Sequence, residues 1–444
     1  MNLLGWLLLH AAFGTEPVAI TLDEALQYAR EHSPEVLATA IAPRQIAANA
    51  DAARAALLPS VAGSAGAGYG NDVRARVGDG QGGSSFATNF GVTAGIPLLQ
   101  LQALANARAA TRQALAAEDL AAFQVEQTLA VVAARYIALQ MARQSLESAH
   151  QRHLEAVRLE SAAVQRVAVG TEPAVVSSRA RVAAKQAELG WWNASTAEEG
   201  ARLQLDQALG LPLDTPLELP PAEPLLSIAA IPEETAVEAS IAEAMQRSDI
   251  RALRARRDAA RATRAAAWAA SLPTISGYAQ LSEINGTNAF GIQSGRTAGA
   301  IGATATVPLY AGGARSANLD AAKAAEDGAE LAVAIVERAA ETAVRLALRT
   351  VRDASATLRV AEEAAALARD ELERAERLWE AGNIDHLAVV AAQTGIANAE
   401  TQREQALANY NLAVIEWRRT RGRLVPSANG PSPGDRLVPI LPQE

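Results

Sequence analysis

Two stretches of strict alternation punctuate a chain otherwise dominated by helical spacing. From Ser85, the residues Phe86, Thr88, Phe90, Val92, Ala94 and Ile96 alternate with Ser85, Ala87, Asn89, Gly91, Thr93 and Gly95. Farther on, Ile301, Ala303, Ala305 and Val307 alternate with Ala300, Gly302, Thr304 and Thr306. One face is apolar and the other small or polar, the period-two pattern of a half-buried strand. Gly-rich polar connections, "GNDVRARVGDGQGGSS" and "NGTNAFGIQSGR", join each to an earlier strand. The expectation is two β-hairpins, at about 59–97 and 273–308.

After each hairpin the spacing changes to that of a long helix. Between Leu98 and Val167 there is no Pro or Gly, and Val125, Leu129, Val132, Tyr136, Leu139 and Leu146 form an apolar seam. Between Arg315 and Ala381, Val344, Leu348, Val351 and Leu358 repeat that rhythm, with Gly328 the one glycine. The helices are expected over 98–168 and 310–381, each roughly 100 Å long at 1.5 Å per residue. Such lengths belong to coiled-coil packing rather than to a globular helix. Phe123, Val131, Leu346 and Val360 lie off the main seams and imply a neighbour on each side. Gly170 and Gly382 end the two helices, where a left-handed C-cap favours glycine. Return helices are expected over 173–209 and 385–424.

The chain is thus written twice. Ser33 and Ser248, Pro59 and Pro273, Pro97 and Pro308, and Gly170 and Gly382 are related by offsets of 215, 214, 211 and 212 residues, in the same order. This is a tandem duplication with a period too long for a solenoid. The first repeat spans 15–210 and the second 232–424. A Pro-rich connector at 211–231 reads as an irregular strap between them, and 425–444 as an irregular tail.

The expected fold is mainly α with membrane β: long antiparallel coiled-coil hairpins forming an α-barrel, and four strands per protomer. Strands apolar on one side and polar on the other suit a barrel wall between lipid and lumen, or a hairpin lying on a soluble core. Helices long enough to form a cylinder wall favour the barrel. Four strands cannot close one, since small barrels need about eight. A homotrimer with twelve strands is the smallest cyclic assembly that leaves an open lumen. Phe86, Phe90, Val92, Ile96, Ile301 and Val307 would then face lipid. Tyr69, Tyr278, Phe290 and Tyr310 are among the few other aromatics available for interface girdles.

Composition narrows the function. The 444 residues include no Cys, which removes disulfides, thiolate metal sites and lipid anchors on cysteine. The net charge of −9, with no basic block, argues against a nucleic-acid partner. Residues 1–14, "MNLLGWLLLHAAFG", are too short to span a bilayer and suit the apolar core of a signal peptide. No Lys or Arg precedes Arg30, so the basic start of such a signal is expected upstream or trimmed. No other stretch could cross a bilayer as a helix, so any crossing must be made by strands.

"TLDEALQYAREHSPEVL", the strand entries "LLPS" and "SLPT", the exits "IPLLQ" and "VPLYAGG", the two Gly-tipped turns and "LDQALGLP" together resemble the TolC-type outer-membrane efflux proteins. The resemblance covers nearly everything from Thr21 to Leu424. It implies a trimeric exit duct of a tripartite efflux pump or type I secretion system, in the outer membrane of a Gram-negative bacterium. The duct would be a passive conduit opened when a periplasmic membrane-fusion adaptor and an inner-membrane pump, of RND or ABC type, dock on it. The tips at Val169, Gly170 and Thr171, and at Ala381, Gly382 and Asn383, would meet the adaptor. The family's acid six residues after the tip Gly is replaced by Val176 and Ala388. Asp385 and His386 are left as a candidate gate region, or as solvated tip residues.

Other chemistry finds little support. His150 and His153 share a helical face with Glu147 and Glu155 nearby, but zinc or copper wants three or four convergent ligands. They read as polar surface, and no metal or cofactor is expected. "VVSSRA" has no triad partners and "GDGQGG" lacks the lysine of a phosphate loop, so no catalytic residue and no enzyme activity are expected. The pair Trp191–Trp192 reads as an apolar anchor in the tunnel wall or as a partner contact. A periplasmic coiled-coil adaptor or scaffold without a pore is the alternative reading of the whole. Such proteins usually carry one hairpin rather than two, each with alternating strands.

Overall fold

The computed structural model describes residues 18–71, 84–213, 215–227, 237–287 and 293–424. The expected signal segment 1–14 and tail 425–444 lie outside them. In chain order the elements are β1 (Val18–Ala19), α1 (Leu22–His32), α2 (Pro34–Thr39), α3 (Ile41–Ala55), β2 (Ser60–Asn71) and β3 (Ser84–Leu99), then α4 (Leu101–Ala168), α5 (Ala174–Leu209), β4 (Leu217–Glu218), α6 (Val237–Ala244) and α7 (Ser248–Ala269). The second copy of the plan continues with β5 (Thr274–Thr287), β6 (Gln293–Thr306), α8 (Ala314–Glu380) and α9 (His386–Thr420). Two compact units divide the chain: one comprises 1–40, 121–248 and 336–444, the other 41–120 and 249–335.

The second unit holds the sheet, four antiparallel strands in the order β2-β3-β5-β6. Its register aligns residues of like character into rows across the strands. Val61, Ala94, Ala279 and Ile301 form one row, while Ala62, Thr93, Gln280 and Ala300 form the next on the opposite face. A slip of one residue would exchange the faces, so this pattern specifies the pairing. The strands run through residues whose composition reads as loop: Asn285 pairs with Gly295, and Thr287 with Gln293. A ladder needs only backbone donors and acceptors, so it does not require an apolar sequence. At the exits, β3 carries through Pro97 with a register irregularity before Leu99, and α4 starts at Leu101 rather than 98. The second exit differs: β6 stops at Thr306 and α8 starts at Ala314 rather than 310, after a turn through Gly312 and Gly313, both with positive φ.

The first unit contains the helical cores. One cluster packs Leu22, Leu26, Leu129, Val132, Tyr136, Leu139, Leu205 and Leu209; another packs Leu348, Val351, Leu358, Tyr410, Val414 and Trp417. Helix α1 starts with a complete capping box, Thr21 Oγ1 accepting from Glu24 N–H while Glu24 accepts from Thr21 N–H. The connector is a strap fastened to this unit. Strand β4 pairs in parallel with β1. Arg143 donates to Leu217 O and Gln140 to Pro220 O. Asn411 accepts from Leu225 N–H and donates to Glu223 O, and Tyr410 donates to Leu226 O. Each bond satisfies a strap backbone group that lacks a regular ladder.

Four helix ends share one solution. At Gly170, Gly210, Gly382 and Gly422 φ is 76°, 77°, 75° and 69°. In each, the residue after the glycine donates to the carbonyl five back and the glycine to the carbonyl three back. This is the Schellman motif, which satisfies carbonyls that the last turn would leave bare. Because the motif closes at Gly422, α9 ends at Thr420 rather than at 424.

Candidate functional site

The two turns that end α4 and α8 stand together in the first unit. A cleft of about 710 Å³ is lined by Arg166, Thr171, Glu172, Glu380, Gly382 and Asp385, among others. Thr171 folds back so that its hydroxyl donates to Arg166 O, 2.9 Å away. Asp385 caps α9, its Oδ1 accepting from Ala388 N–H at 3.1 Å, so this carboxylate has a structural task whatever else it does. Val169, Gly170, Ala381 and Asn383 are exposed at the turns. The side chain of His386 lies outside the described residues.

Three further residues tie the turns together. Arg166 donates to Trp379 O at 3.3 Å and its guanidinium carbon lies 3.8 Å from the indole centroid. Trp379 Nε1–H donates to Glu172 Oε1 at 3.3 Å, and Arg166 pairs with the same carboxylate at 3.5 Å. The second oxygen, Glu172 Oε2, is buried with no hydrogen-bond partner among the described residues. The clasp therefore holds a carboxylate that is only half satisfied, a costly arrangement for a buried charge. Sequence reasoning singled out none of these three, although a Trp three residues before a tip glycine is a visible anchor.

Helix packing behind the tips is apolar: Leu159, Ala375, Trp379, Val389 and Ala392 cluster there. Burial, then the neighbouring Glu155 carboxylate, raises the Glu376 carboxyl above its usual range against the pull of Arg158. Farther along α4, His150 and His153 lie against Trp191, at 5.5 and 5.8 Å between ring centroids, and Trp191 leans on Trp192 at 5.1 Å. Trp192 itself is exposed, whereas Trp191 is half-buried. Among the described residues no group of three or more His, Asp or Glu is placed to hold a metal ion.

On the sheet, Phe90, Val92 and Ile96 share one face with Ile301, and all four are exposed. Phe86 lies in β3, its side chain outside the described residues. Val307 falls past Thr306, the last paired residue of β6, so it belongs to no strand; Pro308 follows and can donate no bond to a ladder. Tyr278 sits on the opposite, small-and-polar face, paired with Gly302. A Cβ on Gly302 would lie 2.8 Å from the Tyr278 hydroxyl, so the ring covers the glycine. An interface girdle built on the apolar face cannot include Tyr278. Among the described residues no helix is long and apolar enough to cross a membrane.

A sheet with one mainly apolar and one mainly small, polar face, and paired helical hairpins with glycine-turned tips, are the parts of an outer-membrane channel. The family model for outer membrane efflux proteins matches residues 25–211 and 241–423, and the chain belongs to that family. It is the exit channel of an efflux pump in the outer membrane. Solved structures with the same fold include the Campylobacter jejuni CmeC outer membrane channel, at TM-score 0.78 and 18% identity over 91% of this chain and 86% of that one. A membrane protein from Pseudomonas aeruginosa matches at TM-score 0.80 and 21% identity, over 90% and 92% of the two chains. The Vibrio cholerae outer membrane protein VceC matches at 0.77 and 20%, over 90% and 96%. No curated protein matches the chain in sequence. Channels of this family are homotrimers that work with adaptors and inner-membrane pumps.

Proposed function

We propose that three copies of this chain close a twelve-stranded barrel, edge β6 of each pairing with edge β2 of the next. Phe86, Phe90, Val92, Ile96 and Ile301 would meet lipid, with Val307 just past the ladder. The small, polar face, including Thr93, Gln280 and the Tyr278–Gly302 pair, would line the lumen. The observation that carries this reading is the open-edged sheet itself. Its register gathers Phe90, Val92, Ile96, Leu281 and Ile301 on one face, and its edge strands offer unpaired backbone groups that a bilayer would not tolerate.

The tips at Val169, Gly170 and Thr171, and at Ala381, Gly382 and Asn383, are the surfaces on which a periplasmic adaptor docks, coupling the duct to an RND- or ABC-type pump. The clasp of Arg166, Glu172 and Trp379 holds the closed arrangement, with Asp385 and His386 beside it as the gate region. Docking opens the gate by favouring the arrangement in which the clasp is broken, and transport through the lumen is passive. Native mass of the detergent-purified protein, with planar-bilayer conductance, tests the reading. A trimer with discrete single-channel steps is expected. A water-soluble monomer without conductance would overturn it.

A further inference from the structure

The face of the sheet that carries Phe90, Val92 and Ile96 is apolar over only part of its height. Glu283 lies on it, paired with Phe90 on one side and Thr297 on the other. This carboxylate is exposed, and hydrocarbon disfavours a charge, so its row marks one edge of the apolar band. From Thr297 to Thr306, the last paired residue of β6, the strand rises about 30 Å at 3.3 Å per residue. Tilted by about 40°, it covers about 23 Å of height, whereas the apolar band of an outer-membrane barrel is about 25 Å tall. The rest of the band falls on the segment just past the ladder.

That segment is apolar, and nothing among the described residues covers it. Leu309 and Tyr310, between β6 and α8, are 90% and 89% exposed. The first exit supplies Leu98, which is 59% exposed. Its Cδ1 lies 3.5 Å from where a Cβ on Gly277 would stand, and Gly277 pairs with Ile96, so Leu98 shares the apolar face. Arg315, in the first turn of α8, donates to Pro308 O and so steadies the segment with one of its five N–H donors.

Beyond this edge the charge changes sign. The whole chain carries −9. The twelve residues of α3, α4, α7 and α8 nearest the strands they join, 44–55, 101–112, 258–269 and 314–325, carry eight Lys and Arg against three Asp. Arg108 and Arg112, one turn apart on α4, are exposed and pair with no acid among the described residues. They stand about 10 and 16 Å along the helix from Leu101. Long arginine side chains reach back from such positions toward a headgroup layer.

We infer that this collar binds anionic phospholipid of the periplasmic leaflet. Leu98, Leu309 and Tyr310 enter the edge of the hydrocarbon, while Arg108, Arg112 and Arg315 hold lipid phosphates. Apolar continuity with the sheet and a basic patch on an acidic chain both favour a lipid of net negative charge. The inference rests on the barrel reading above and adds to it the depth of the membrane and the class of lipid.

The chain has no cysteine, so a single introduced one reports its own surroundings. The full-length protein is placed in bilayer discs whose lipid carries a nitroxide near the headgroup end of the acyl chain. Fluorophores on Ile301→Cys and Tyr310→Cys are expected to be quenched, and one on Ala334→Cys, about 30 Å along α8, to stay bright. By native mass, the wild type should retain dioleoyl phosphatidylglycerol over dioleoyl phosphatidylcholine. Each arginine near an anionic leaflet contributes roughly fivefold, so Arg108→Gln with Arg112→Gln should lower that preference by about 25-fold. Inorganic phosphate at equal concentration should not displace the lipid. A bright Tyr310→Cys label beside a quenched Ile301→Cys label overturns the inference and leaves the barrel standing. Equal retention of the two lipids, or displacement by inorganic phosphate, does the same. A bright label at Ile301→Cys overturns the barrel reading itself.

Discussion

The guanidinium of Arg166 lies 3.8 Å from the centre of the Trp379 ring, and that ring's Nε1–H reaches Glu172 across the two tips. A cation over Trp contributes about 0.5–2 kcal/mol depending on desolvation. If the clasp holds the gate closed, removing it should favour opening by a comparable amount, roughly 2- to 30-fold in an equilibrium. Arg166→Ala is expected to raise single-channel open probability in that range. Trp379→Phe keeps a ring but loses the donor, so a smaller rise is expected. Open probability unchanged in both variants would show that the clasp is only structural.

Gly170 and Gly210 share one backbone solution but not one environment. Around a Cβ at Gly170 nothing lies within 4 Å, so Gly170→Ala costs the left-handed backbone alone, about 1–2 kcal/mol. At Gly210 the added atom would meet Pro34 Cδ at 2.8 Å and His32 O at 3.0 Å. Gly210→Ala should therefore lower the thermal midpoint of the purified channel by clearly more than Gly170→Ala. Gly170→Asn, a residue that tolerates this conformation, should stay close to wild type. Equal shifts at the two sites would mean that the space around Gly210 relaxes freely.

Much of this was legible in the chain because it depends on local rules. Period-two alternation marked the faces of β3 and β6, and single glycines marked the ends of α4 and α8, where a missing Cβ matters. The clasp was not legible: Arg166 and Trp379 are separated by more than two hundred residues, and only the packing of the hairpins brings them together. Tyr278 illustrates a different failure. Its parity along β5 already placed it opposite Leu281, but its aromatic character suggested a lipid interface. The two-residue pairing of β1 with β4 lies below any periodicity, since two residues cannot display a period.

Tyr136 offers a test of the strap. Its hydroxyl donates to Ile20 O at 3.0 Å, inside the core, and burial pushes its pKa up to about 12. Tyr136→Phe would leave that carbonyl buried without its donor, at a cost of about 1–3 kcal/mol. Ile20 also donates to Glu218 O, so the loss should loosen β1 and β4 together. Faster amide exchange at Ile20 in the variant is the expected reading. Unchanged exchange would mean that the strap is held by its other bonds alone.

Glu376 should make the helical bundle behind the tips sensitive to mild acid. Burial is the first cause of its raised pKa and Glu155 the second, while Arg158, 3.7 Å away, works in the opposite direction. The folded state therefore keeps this proton at pH values where an unfolded chain, near 4.5, has released it. Stability from this group is greatest below the unfolded value and falls as pH rises through the folded one. Glu376→Gln removes the titration and keeps the shape. The variant should match wild type near pH 4 and melt at a higher temperature at pH 7, the difference growing across the interval between. A variant that melts lower than wild type at pH 7 would show that the Arg158 pair outweighs desolvation, reversing the sign assigned here.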